Sequence, residues 1–94
     1  MLSVMATIQA QPQHADALGE LLQRLAVTSR GEHGCTIYRV FRSRQQRELF
    51  VTFEQWASAA AEAQHMQSAH VAEAFQAAAA LLAAAPEIRH FDEL

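Results

Sequence analysis

Apolar and polar residues alternate from the start of the chain. Leu2, Val4, Ala6, Ile8 and Ala10 fall on one face of an extended segment, and Ser3, Met5, Thr7 and Gln9 on the other. Pro12 ends this strand, and from about Gln13 to Arg30 the period lengthens, with Leu18, Leu21, Leu22 and Leu25 at helical spacing. Gly31 and Gly34 punctuate the exit. Cys35 to Arg42 and Leu49 to Trp56 then read as two strands about a polar turn from Ser43 to Arg47, which predicts an antiparallel hairpin. Ser58 to His65 reads as a short helix. Ser68 is placed to cap a further helix running to about Ala84, with Val71, Phe75, Ala78, Ala79 and Leu82 inward, until Pro86 stops it. Glu87 to Phe91 returns as a strand with Ile88 and Phe91 on opposite faces.

The order β-α-β-β-α-α-β predicts an α+β, ferredoxin-like fold, a four-stranded antiparallel sheet with helices on one face. Both faces of the hairpin are apolar. Ile37 and Phe41 oppose Tyr38 and Val40, while Phe50 and Trp56 oppose Leu49, Val51 and Phe53. One helical layer covers one face, and the remainder exceeds the few hundred Å² that monomers usually leave exposed. A second copy is the simplest cover, so a homodimer is expected. The alternative is that the helices wrap further round and leave only scattered exposed side chains.

Composition narrows the function. A chain of 94 residues, 51% hydrophobic and 18% charged, fits one globular domain over 1–94 with no disordered tail. A net charge of -3 without a basic run offers no attraction to nucleic acid or an anionic membrane. No apolar stretch approaches the roughly 20 residues that cross a bilayer, and the opening residues lack a charged leader, which predicts a cytoplasmic protein. Cys35 is alone, so it has no internal disulfide partner. The 7 basic residues are all arginine, which excludes lysine Schiff bases and a Walker loop. With only 3 glycines there is no dinucleotide-binding turn, and nucleotide cofactors are not expected.

Candidate chemistry centres on the third strand and the helix break. Thr52, Glu54 and Trp56 share a face. If Leu49, Val51 and Phe53 face the helices, Glu54 looks into the space between two sheets, where lost hydration raises its pKa towards that of a general base. Arg39 is a candidate partner across the hairpin, and a structural Glu54–Arg39 ion pair with Trp56 as core is the competing reading. His65 and His70 flank the break at Gln67-Ser68. His65 is the better acid–base candidate, whereas His70, in a first helical turn, also reads as a polar end residue. The five histidines are scattered, with no pair at one-turn metal-binding spacing, so no metal is expected. Cys35 reads as a small buried apolar residue.

Three tracts together resemble the antibiotic biosynthesis monooxygenase family, particularly its small quinol-monooxygenase-like members. They are Glu32-His33-Gly34-Cys35 with Tyr38, Glu54-Gln55-Trp56, and His65-Met66-Gln67-Ser68-Ala69-His70. The resemblance implies a dimeric α/β barrel that needs no flavin, haem or metal, in which an ionised quinol or anthrone reacts directly with O2. It places the pocket between sheet and helices, with His65 and Glu54 as catalytic candidates. Trp56 and His70 would lie at the small aromatic substrate with Phe75 as an apolar wall, and the strand-face reading adds Thr52 and Arg39 as substrate-binding candidates. Two departures, Ala69 and His33 where the family often has proline, affect turns more than chemistry. Haem-degrading relatives use an asparagine, a tryptophan and a histidine where this chain has Thr7, Phe75 and His65, which disfavours haem breakdown. The leading expectation is a cofactor-independent monooxygenase. The alternatives are an isomerase of a small sugar-derived or phosphorylated metabolite on the same scaffold, and a non-catalytic ligand-binding dimer.

Overall fold

The opening alternation becomes β1 (Leu2–Gln9) in a computed structural model that describes residues 1–94. Pro12–His14 form a 3-10 turn that leads directly into α1 (Ala15–Arg30). β2 (Cys35–Arg42) and β3 (Leu49–Trp56) follow as the expected hairpin, then α2 (Ala59–Met66), α3 (Ala69–Ala78) and β4 (Glu87–Asp92). The strands form one sheet in the order β2-β3-β1-β4, with every neighbouring pair antiparallel.

Side-chain period and register together decide the core. Val4, Ala6, Ile8 and Ala10 are buried, as alternation requires: Ala6, Ile8 and Ala10 against Leu18 and Leu22 of α1, and Val4 in a second cluster with Ala26, Tyr38 and Trp56. Each of the larger aliphatic side chains, Val4, Ile8, Leu18 and Leu22, contributes about 1.5–3 kcal/mol on full burial. Val4 pairs with Glu54 and Ala6 with Thr52, so the even-numbered residues of β3 share the helix-covered face. Phe50, Thr52, Glu54 and Trp56 are buried there, while Val51 is exposed on the other face. This corrects the facing in which Leu49, Val51 and Phe53 meet the helices.

The helical region also departs from expectation. Ser58 caps α2 by accepting from the Ala61 amide, whereas Ser68 holds the expected N-cap position of α3 without a side-chain cap bond, its hydroxyl donating instead to the His65 carbonyl. The α3 helix stops at Ala78, short of Ala84, because the chain turns to join the end of β1. Leu82 bridges to Ala10, and the Gln11 side chain donates to the carbonyls of Ala80 and Leu82. Ala79 is therefore exposed, and Phe75 is only partly covered.

No helix is long and apolar enough to cross a membrane. The sheet face away from the helices carries Met5, Phe41, Val51 and Phe91, all exposed.

Candidate functional site

Strands β1 and β3 form the floor of a cavity of about 70 Å³, and α1, α2 and α3 form its walls. Of its 20 lining residues 15 are hydrophobic, and the polar ones gather around Thr52, Glu54, Glu62 and His65. No arginine lines it.

Glu54 is held from both sides by its own strand. Thr52 Oγ1 donates to Oε2 at 2.8 Å and Trp56 Nε1 donates to Oε1 at 3.1 Å. Residues two apart on a strand project together, so the sequence Thr-x-Glu-x-Trp builds this clamp locally. Burial raises the Glu54 pKa above the usual carboxylate range, while the two donors and the nearby His65 oppose that rise. Burial, reinforced by Glu54, likewise raises the Tyr38 phenol, which keeps it protonated at neutral pH.

His65, on the last turn of α2, is 3% exposed and is the centre of an aromatic cluster. Its ring centroid lies 4.6 Å from that of Trp56 and 5.6 Å from that of Tyr38. Its Nδ1 lies 3.0 Å from Glu32 Oε2. A carboxylate oxygen only accepts, so the contact puts a proton on Nδ1, and in the neutral ring this leaves the lone pair on Nε2.

Glu32 reaches His65 because Gly34 allows the loop before β2 to press on α2. Gly34 has φ +82, and a Cβ there would stand 2.6 Å from the Ala61 Cβ. Only glycine combines that backbone with that closeness. The other oxygen of Glu32, Oε1, lies 2.6 Å from His70 Nε2. That approach lacks hydrogen-bond alignment, so Oε1 is buried without a hydrogen-bond donor. His70 Nε2 is also 3.4 Å from Ser29 Oγ, which is fully buried.

Of the residues singled out by sequence, Glu54, Thr52, His65 and Phe75 line the cavity. Trp56 and His70 do not: Trp56 backs Glu54 and His65, and His70 meets Glu32 outside the wall. Arg39 is elsewhere. It pairs with Phe53 and is exposed on the opposite face, so the proposed Glu54–Arg39 ion pair does not exist. The break at Gln67-Ser68 does bring His65 and His70 together, at one carboxylate. Sequence reasoning missed Glu32 and Glu62 as site residues. For Glu32 the available signal was its place two residues before a glycine at a strand start.

The profile of the antibiotic biosynthesis monooxygenase family matches residues 1–86, and the chain belongs to that family. A protein from Pseudomonas aeruginosa is 35% identical, with a TM-score of 0.92 over 99% of this chain and 93% of that one. A Mycobacterium tuberculosis protein is 26% identical, with a TM-score of 0.92 over 99% of this chain and 94% of its own. A solved antibiotic biosynthesis monooxygenase shares the fold at a TM-score of 0.94, with 24% identity over 100% of this chain and 99% of its own. No protein of curated function matches the sequence.

Proposed function

We propose that this protein is a cofactor-independent monooxygenase that oxidises a small aromatic quinol or anthrone-type substrate with O2. The observation that carries the reading is His65: a buried imidazole, oriented by Glu32 through Nδ1, in the wall of an apolar cavity. This is the arrangement of a general base aimed at a bound ring. The base removes a phenolic or benzylic proton, and the resulting anion supplies the electrons to O2. One oxygen atom ends on a ring carbon and the other leaves as water, so the quinol becomes a hydroxyquinone. The apolar lining orients the ring and excludes water. Glu54 is the second candidate base, clamped by Thr52 and Trp56.

Cavity size favours one ring over three. An engineered cavity of about 150 Å³ accepts benzene, so even a single ring requires the 70 Å³ space to widen. Phe75 and Met66 are partly exposed lining side chains, so they are the ones whose outward rotation would widen it. A phosphorylated substrate is a poorer match, because a phosphate calls for cationic or amide donors and this polar end holds Glu54 and Glu62 instead. The exposed apolar sheet face supports a homodimer, with the second sheet covering Met5, Phe41, Val51 and Phe91.

Oxygen uptake with a panel of monocyclic and tricyclic quinols tests the reading. Uptake well above the spontaneous rate, with the monocyclic compounds preferred, is expected. Uptake no faster than autoxidation for every compound sinks it.

A further inference from the structure

We infer that Glu32, His65 and His70 form a binding site for a divalent transition-metal ion of the Zn²⁺ type. One ligand atom from each residue can be chosen so that all lie within 4.8 Å of one another. Three ligands bound at ~2.0–2.1 Å in tetrahedral geometry stand roughly 3.3 Å apart. The close contacts, 3.0 Å from His65 Nδ1 to Glu32 Oε2 and 2.6 Å from His70 Nε2 to Glu32 Oε1, are made by different carboxylate oxygens, so around an ion the short separations open while wider ones, up to 4.8 Å, draw in. Two imidazoles and one carboxylate form a borderline donor set that suits zinc, cobalt, nickel or ferrous iron, and it leaves a coordination position open.

The second observation is the state of Glu32 Oε1. It is a buried oxygen pointing into the cluster without a hydrogen bond, although an imidazole nitrogen stands beside it. A carboxylate that merely bridged two imidazoles would accept from both. A buried acceptor without a donor calls for another occupant, and a cation between Oε1 and the two nitrogens supplies one.

The ligands are also held in place before any ion arrives. Gly34 fixes the loop that carries Glu32, and the Ser68 hydroxyl donates to the His65 carbonyl at 2.6 Å. His70 sits in the first turn of α3, beside the buried Ser29 hydroxyl. Such preorganisation lowers the cost of assembling a site.

This inference goes beyond the proposed oxidation and does not depend on it. An ion on His65 Nδ1 leaves the remaining proton on Nε2, so the ion competes with the base role and takes no part in the oxidation.

The test uses tag-free, chelator-treated and dialysed protein. Zn²⁺ is titrated by calorimetry and Co²⁺ by its visible ligand-field absorption. One ion per chain is expected, with affinity in the micromolar range or tighter. Glu32→Ala and His70→Ala should each weaken binding ~10-fold or more, and His33→Ala, at an exposed neighbour, should leave it unchanged. Both ligand variants lie at partly exposed positions, and circular dichroism checks that they remain folded. Failure of the wild type to take up either ion overturns the inference. So does uptake that survives both Glu32→Ala and His70→Ala, or uptake lost in His33→Ala.

Discussion

Glu32 and His65 are 33 positions apart in sequence, yet their side chains meet at 3.0 Å. If His65 is the base, His65→Ala should lower quinol-dependent oxygen uptake by ~10²-fold or more. Glu32→Ala should lower kcat by ~10-fold or more, since the ring keeps its place but loses the group that fixes its tautomer. Steady-state oxygen-electrode kinetics check both. Full kcat in Glu32→Ala would reduce the contact to a structural one.

Glu54 binds its proton more tightly in the folded protein than in the unfolded chain. Its contribution to stability is therefore complete below the unfolded value of 4.5 and is lost as pH rises through the raised folded value. Each pH unit between the two values corresponds to ~1.4 kcal/mol. Glu54→Gln removes this dependence, so the Tm difference between variant and wild type should move in the variant's favour as pH rises from 4.5, then level off. Trp56→Phe deletes a donor to the carboxylate, and the level region should then begin at higher pH. Thermal melts across a pH series measure both effects, and parallel curves for wild type and Glu54→Gln would contradict them.

Much of this fold was legible because its elements carry their periods openly. The alternation of β1, the leucine stripe of α1 and the β2–β3 hairpin all form where the pattern puts them. The facing of β3 was not legible, because Phe50 and Trp56 on one side balance Leu49, Val51 and Phe53 on the other. Only pairing of Glu54 with Val4 and Tyr38 decides it. The end of α3 was hidden for a related reason: alanines favour helix throughout, and it is the bridge from Leu82 to Ala10 that stops it. The site divides the same way. The Thr52-Glu54-Trp56 clamp is local and could be read from spacing, whereas Glu32 enters through a loop contact that no local period records.

Gly34 offers a structural test of that loop contact. Gly34→Ala places a methyl group against Ala61 and a side chain at φ +82. Overpacking of this kind costs ~1–3 kcal/mol. A lowered urea midpoint with unchanged m is expected, together with a loss of oxygen uptake resembling that of Glu32→Ala. Wild-type stability in Gly34→Ala would show that the loop has room to give.

The uncovered sheet face can be tested without touching the cavity. Phe41 and Val51 are paired across the hairpin and are both exposed on that face. Phe41→Glu combined with Val51→Arg should convert a dimer into a monomer in sedimentation velocity at micromolar concentration. A wild-type protein already monomeric under those conditions would remove the homodimer from the proposed function.

The α3 side of the cavity is walled in part by Ala74 and Ala78, the smallest side chains that still support a helix. Its capacity is thus set by groups that are absent rather than by groups that grip. Exchanging either alanine for valine or leucine would shrink the space without disturbing Glu54, His65 or their partners. Such a scaffold can change the shape of its cavity one methyl group at a time while Glu54, His65 and their partners stay the same.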